Sequence, residues 1–143
     1  MEISYQDFKK VTIKVGTVLE VKKNEKARKP SLVVEVDFGE EIGIKQSSAQ
    51  ITHFYNEENL KGKQVIGVCN FAEKNIAGVV SQVLILGSID EEGKVILLHP
   101  SQKSENGLSI DPNINTWDTT PAIFFSRKLH TPITCFPFKF SSL

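Results

Sequence analysis

The chain has 143 residues, 40% of them hydrophobic and 24% charged, which is typical of one soluble globular domain with a modest core. Lys plus Arg and Asp plus Glu number 17 each, so net charge alone indicates no partner. The two cysteines, Cys69 and Cys135, are too few for a disulfide framework, and no Cys or His spacing indicates zinc.

The amino terminus has no pattern of a targeting signal. Met1–Ser4 has neither the basic region nor the apolar region of a signal peptide. No apolar run approaches the roughly 20 residues that are needed to span a bilayer. We therefore expect no membrane partner and a reducing, cytoplasmic location.

Positive charge is concentrated in one part of this neutral chain. Eight basic residues lie between positions 9 and 29, against Glu20 and Glu25, which leaves a local excess of six positive charges. Such a patch indicates a local anionic partner rather than a bulk property of the protein. The eight are Lys9, Lys10, Lys14, Lys22, Lys23, Lys26, Arg28 and Lys29.

Two short helices are predicted from capping residues. Ser4–Asp7 has the form of a capping box, which predicts a helix over about residues 5–10. Ser47 or Ser48 can cap a second helix that runs to about Tyr55.

A long period-two pattern from Val11 to Val21 predicts a first strand with one buried face. Because the odd positions are mostly apolar, Lys14 and Lys22 are expected to share the outward face. Gly16, near the middle, allows this strand to coil sharply, as a small closed barrel requires.

Shorter alternating or apolar runs predict the remaining strands. Gly39 and Gly43 bracket a tight connection, and Asp90–Gly93 has the composition of a hairpin turn. Five or six strands without a βαβ rhythm predict an all-β OB-fold, a five-stranded Greek-key barrel with short helices. The further strands are predicted at about 32–38, 42–46, 65–71, 79–86 and 95–98, with polar loops at 24–30, 56–63 and 72–78.

The composition changes from about Asp111. Pro112, Pro121, Pro132 and Pro137 interrupt regular structure, and five phenylalanines lie between positions 124 and 140. We therefore expect a domain over residues 1–110 and an irregular extension over 111–143, whose role the sequence does not indicate.

The run Ile44–Ile51 resembles the free-standing bacterial tRNA-binding proteins of the CsaA type, whose domain also occurs at the C-terminus of some methionyl-tRNA synthetases. The resemblance continues in order through residues 3–110. It includes Val15–Val18, Ala27–Pro30, Asp37–Gly39, Asn70–Phe71, Ile76–Gly78, Ser81–Gly87 and Asn106–Gly107.

This resemblance implies an OB-fold, a homodimer, and a surface that holds the outer corner of tRNA with little sequence discrimination. It also implies a second hypothesis, an export-related chaperone that binds unfolded polypeptides in an apolar groove of the dimer. Two departures are expected to weaken the nucleic-acid contact. Ala72–Asn75 replaces a loop rich in proline and arginine, and Val79–Val80 replaces a more polar or aromatic pair.

The candidate tRNA contacts are cations that could neutralise phosphates and polar side chains that could donate to RNA. Alternatives remain open, since lysines on a strand can simply keep an edge soluble, and Ser47 or Ser48 can cap a helix. The candidates are Lys14, Lys22, Arg28, Lys29, Lys45, Ser47, Ser48, Gln50, Asn70, Lys74, Ser81 and Gln82.

No pattern in the chain indicates catalysis. The three histidines have no carboxylate or cysteine at a useful spacing, and we find no phosphate loop or nucleophile elbow. We therefore expect no enzymatic activity and no cofactor. Phe8, Phe38, Phe54 and Phe71 are expected in the core, which argues against binding of single strands by stacking.

Overall fold

The computed structural model describes residues 1–112, and Met1–Asp111 forms one compact unit. The expected extension 111–143 therefore lies almost entirely outside the described residues, and the predicted division of the chain stays a prediction. None of the helices in the described range is long and apolar enough to cross a bilayer.

The described range contains nine strands and three four-residue helices. The helices are α1 (Tyr5–Phe8), α2 (Gly39–Ile42) and α3 (Glu57–Leu60). The strands are β1 (Ile13–Lys23), β2 (Leu32–Asp37), β3 (Ile44–Ala49), β4 (Gln64–Val68), β5 (Lys74–Ile76), β6 (Val79–Ser81), β7 (Leu84–Ile85), β8 (Gly87–Ile89) and β9 (Val95–Leu97).

The main sheet is antiparallel, with the strand order β3-β2-β1-β4-β7. Beyond β3 the sheet is nearly closed, because the amide of Gln82, just after β6, donates to the carbonyl of Gln46 at 2.9 Å. The all-β prediction of a small five-stranded barrel with short helices is thus confirmed. β5 pairs with β6 and β8 pairs with β9 in two separate hairpins.

A β-bulge divides β1 into two halves whose side chains alternate in opposite phase. The pairing with β2 shifts by one residue between Val18 and Glu20. Val18 is buried before this bulge and Val21 after it, so even positions face the core in the first half and odd positions in the second. The prediction that Lys14 and Lys22 share one outward face is therefore wrong.

The core is centred on Phe38, which has no exposed area. A Cβ on Gly16 would lie 2.8 Å from the Phe38 ring, and one on Gly67 would lie 2.9 Å from it. Two neighbouring strands can approach this ring only because both positions lack a side chain. The core residues that surround it are Val18, Val21, Leu32, Val34, Val36, Ile51, Leu60, Val65, Val83 and Leu97.

The predicted helix from Ser47 or Ser48 is wrong, since both serines lie within β3. Val33 pairs with Ser48 and Val34 with Ser47. The backbone N–H and C=O groups of this segment therefore belong to the sheet and are not available for a helix. The helix starts later, in the predicted polar loop 56–63. There the side chain of Asn56 accepts hydrogen bonds from the amides of Glu58 and Asn59 and caps α3.

The predicted polar loop 72–78 contains β5, and the predicted strand 79–86 is divided into β6 and β7. The division arises because β6 pairs with β5 whereas β7 pairs with β4. The β5–β6 hairpin (residues 74–81) turns at Ala77 and Gly78, whose φ angles are +50° and +80°. Positive φ at both central residues is the geometry of a type I′ turn.

The predicted capping box at the amino terminus is confirmed. The Ser4 hydroxyl accepts from the amide of Asp7 at 3.1 Å, and the Asp7 carboxylate accepts from the Ser4 amide. Hydrogen bonds from Lys10 and then Ser4 lower the pKa of the Asp7 carboxyl. The helix itself ends at Phe8, two residues before the predicted end.

The last described residues pack along β1. The amide of Val15 donates to the carbonyl of Leu108, and the amide of Ile110 donates to the carbonyl of Ile13. Asn106 connects this segment to the barrel, because its side chain contacts both Thr17 and Asp37. The Asn106–Gly107 motif is therefore a structural junction.

Candidate nucleic-acid interface

The β1–β2 loop (residues 24–31) contacts the tip of the β5–β6 hairpin. A Cβ on Gly78 would lie 3.0 Å from Cδ and 3.6 Å from Nζ of Lys26, so the Lys26 side chain lies across the glycine. Arg28 and Lys29 follow in the same loop and are exposed. The loop that carries these two predicted cations thus contacts, through Lys26, the hairpin that carries a third, Lys74.

Lys26 was not among the predicted site residues. It was counted in the basic patch, but its contact depends on the positive φ of Gly78 and on the hairpin that the sequence did not predict. The Ala77–Gly78 pair was the available signal, because a glycine after a short polar run is typical of a hairpin turn.

A chain of polar side chains attaches the hairpin to β3. The Ser81 hydroxyl accepts from the amide of Ser48 at 3.0 Å, and the Ser48 hydroxyl accepts from the Asn24 side chain at 3.1 Å. Gln82 donates to the Glu73 carboxylate at 2.7 Å. Three of the predicted RNA donors therefore have partners within the protein, and their contact with tRNA stays a prediction.

Other predicted polar contacts differ in exposure. Ser47 is buried, because it lies opposite the core residue Val34. Gln50 follows β3 and is exposed. The side-chain oxygen of Asn70 accepts from the Thr12 amide at 2.9 Å, and its side-chain nitrogen donates to the Lys10 carbonyl at 2.7 Å. Both hydrogen bonds attach Asn70 to the segment before β1.

Lys14 and Lys45 both act electrostatically on the Cys69 thiol, and we call them the Cys69 lysines. Burial raises the pKa of the Cys69 thiol, and the two ammonium groups oppose that rise. Lys14 lies opposite Gly67, and Lys45 lies opposite Val36, so both occupy inward-facing register positions near one end of the barrel. Lys14 also donates to the Ser109 hydroxyl at 3.0 Å.

Lys22 lies apart from the Cys69 lysines. It is opposite Val33, on the outer face of the barrel, in the same cross-strand row as Ser48. In the neighbouring row Glu20 lies opposite Glu35, so two carboxylates adjoin this lysine. The predicted cations therefore occupy more than one face, and Lys22 has the most acidic surroundings of those described here.

None of the predicted cations is neutralised by an ion pair within residues 1–112. The three ion pairs of that range join Lys10 to Asp7, Lys61 to Glu20, and Lys94 to Glu92. The same range contains no group of three or more His, Cys, Asp or Glu side chains that could hold a metal ion. The chemistry available to Lys14, Arg28, Lys29, Lys45 and Lys74 is thus anion binding.

The prediction that four phenylalanines belong to the core is confirmed for Phe38 and wrong for the other three. Phe38 is fully buried and Phe8 is partly exposed, but Phe54 is 49% exposed and Phe71 is 59% exposed. Period two could not place these two side chains, because neither lies in a strand.

A family model described as "Putative tRNA binding domain" matches residues 13–109, which span the barrel and the β1–β2 loop. The chain belongs to this tRNA-binding domain family. The match confirms the family that the motifs from Val15 to Asn106–Gly107 indicated.

Two solved structures with the same domain are chaperones by their descriptions. The chaperone CsaA of Bacillus anthracis is 43% identical, with a TM-score of 0.74 over 78% of this chain and 100% of that protein. The CsaA chaperone of Picrophilus torridus is 44% identical, with a TM-score of 0.71 over 77% of this chain and 100% of that protein.

A third relative is much longer. The methionine–tRNA ligase of Flavobacterium johnsoniae is 35% identical over 109 residues, which are 76% of this chain and 15% of the ligase. This tRNA-binding domain thus occurs both in chains of its own length and as a small part of a large enzyme.

Proposed function

We propose that this member of the tRNA-binding domain family binds tRNA and catalyses no reaction of its own. Family membership supports the ligand, and one structural observation supports the surface. The loop that carries Arg28 and Lys29 contacts the β5–β6 hairpin through Lys26, the hairpin carries Lys74, and none of these three predicted cations is engaged by a carboxylate in the described range.

Physical chemistry favours recognition of the RNA backbone at such a surface. Each lysine or arginine that neutralises a phosphate releases a condensed counterion. This release contributes favourably to the free energy of binding, and the contribution decreases as the salt concentration rises. Arg28 can bind a phosphate in bidentate fashion, whereas a lysine provides a point charge. Folded RNA hides most base edges in its deep groove, so contacts to phosphates and shape are the accessible ones.

The test is the salt dependence of tRNA binding by wild-type protein and by the double variant Arg28→Glu with Lys29→Glu. We expect the variant to bind tRNA on the order of tenfold more weakly at about 50 mM salt. We also expect its slope of log K against log salt to fall by roughly 2, one for each lost phosphate contact.

The matched control reverses two charges outside this surface, with Lys63→Glu and Lys103→Glu, both exposed. It should leave the slope nearly unchanged. Wild-type binding that barely responds to salt, or equal losses in the two double variants, would contradict the proposed surface.

We propose a chaperone role as the second candidate, supported by the similarity to the two CsaA chaperones and by exposed apolar side chains. Ile89 and Ile96 are exposed on the β8–β9 hairpin, and Leu98 is exposed just after it. Unfolded or exported polypeptides would bind such a surface in a groove of a homodimer. We also propose a cytoplasmic location, which binding of tRNA supports.

A further inference from the structure

Phe71 presents an aromatic side chain to solvent between β4 and the β5–β6 hairpin. It is 59% exposed, and Phe54 is the other phenylalanine among residues 1–112 that is counted as exposed. A ring in this position has its face accessible to a ligand, and a ligand that covers it would gain the free energy of burying apolar area.

The loop that carries Phe71 is held on both sides. Before it, Asn70 binds the backbone of Lys10 and Thr12 at 2.7 and 2.9 Å. After it, Glu73 accepts a hydrogen bond from Gln82 at 2.7 Å, and Gln82 pairs with Gln46 of β3. The ring is therefore attached to a loop that is fixed before any ligand arrives, which lowers the entropy that binding must remove.

The surroundings of Phe71 favour an anionic ligand. Cys69, two residues earlier, donates its backbone amide to the carbonyl of Thr12, and Gly67 pairs with Lys14, so the segment before Phe71 runs beside the start of β1 that carries this lysine. Lys74 begins β5 three residues later. The intervening carboxylate, Glu73, is the acceptor of the Gln82 hydrogen bond.

We propose that Phe71 stacks on an unpaired nucleotide of the bound RNA while the Cys69 lysines or Lys74 bind adjacent phosphates. This inference rests on the proposed tRNA binding and extends it from backbone contacts to one base. Folded RNA exposes base faces at its loops and bulges, and aromatic side chains are the usual partners of such bases. A polypeptide would gain less here, because the cations around the ring match phosphate charge.

The first experiment compares Phe71→Leu with the matched control Phe54→Leu, since both remove an exposed ring and keep an apolar side chain. Phe71→Leu should weaken tRNA binding about tenfold with an unchanged salt slope, because stacking releases no counterions. Its affinity for a fully paired RNA duplex should not change. Phe54→Leu should change neither affinity.

Three outcomes would overturn the stacking proposal. They are an unchanged tRNA affinity in Phe71→Leu, an equal loss for tRNA and duplex, and a loss that appears in binding of an unfolded polypeptide instead of tRNA. If the wild-type salt slope remains steep in these cases, the proposed tRNA binding survives. If wild-type protein does not bind tRNA, both proposals fail.

A second experiment detects the stacking by fluorescence and keeps an aromatic ring at position 71. The chain contains one tryptophan, Trp117, which is replaced by Phe so that Phe71→Trp provides the single indole. Addition of tRNA should quench the fluorescence of this indole, and addition of paired duplex should not. Equal quenching by both RNAs, or by neither, would overturn the proposal.

Discussion

At the scale of single residues, Asn106 makes a set of contacts that explains its motif. Its side-chain carbonyl accepts from the Thr17 hydroxyl at 2.7 Å and from Gln64 at 3.4 Å. Its amide donates to the Asp37 carboxylate at 3.1 Å. One partly buried amide therefore connects β1, β2 and β4 to the last described segment.

Replacing Asn106 by alanine should lower the free energy of unfolding by about 1–3 kcal/mol, because three partly buried polar groups lose a partner. Urea unfolding monitored by circular dichroism measures the change. Gln102→Ala, at an exposed position nearby in the chain, should change stability by less than about 0.5 kcal/mol. Similar values for the two variants would contradict a structural role for Asn106.

At the scale of elements, the tip of the β5–β6 hairpin contains the one non-glycine residue with positive φ in the described range, Ala77. A left-handed conformation brings the Cβ of an L-residue close to its own backbone, so alanine is strained there. The strain is tolerated where the tip contacts Lys26 and β6 is held by Ser48.

Ala77→Asn should relieve this strain and raise the free energy of unfolding by about 0.5–1 kcal/mol, because Asn-Gly is the preferred pair of a type I′ turn. Ala77→Val should lower it, since a β-branched side chain is less compatible with positive φ. Thermal or urea unfolding of both variants measures the two signs. Changes in the same direction would contradict the assigned turn.

The same elements show which sequence signals were sufficient to predict the secondary structure. Capping residues predicted α1, and alternation predicted β1, β2 and the start of β3. The phase of β1 could not be read from periodicity, because Val15 and Val18 are both buried from opposite faces. The segment around Leu108, which is remote in sequence, pairs with Val15 through backbone hydrogen bonds, and the bulge near Leu19 then reverses the pattern.

For the candidate site, the sequence predicted the cations but not their arrangement. The loop of Arg28 and Lys29 meets the hairpin of Lys74 through the contact of Lys26 with Gly78, which is a tertiary contact. Ser48, Ser81 and Asn70 were predicted as RNA donors from residue type alone. Residue type cannot distinguish a hydroxyl that is free to bind RNA from one that accepts a backbone hydrogen bond inside the protein.

At the scale of the whole molecule, the proposed groove exists only if the chain forms a homodimer, which is a prediction. We expect sedimentation at micromolar concentration to show a species of twice 16.0 kDa, because Ile89, Ile96 and Leu98 would otherwise remain in water. Ile96→Lys should shift the population toward monomer, while Ile3→Lys, also an exposed isoleucine, should not. A wild-type monomer would remove the groove and the chaperone proposal together.

The bulge in β1 gives a single strand three environments in succession. Lys14 in its first half provides an ammonium group that acts on Cys69. The side chains in its middle face the core, and Lys22 near its end lies on the outer face of the barrel. Deleting the one extra residue at Leu19 would join Val18 directly to Glu20 and leave the pairs Glu20–Glu35 and Val21–Val34 in place, so that Val21 still faces inward and Lys22 outward. A single-residue deletion there would therefore remove the extra twist of the strand without changing which of its later side chains fill the core.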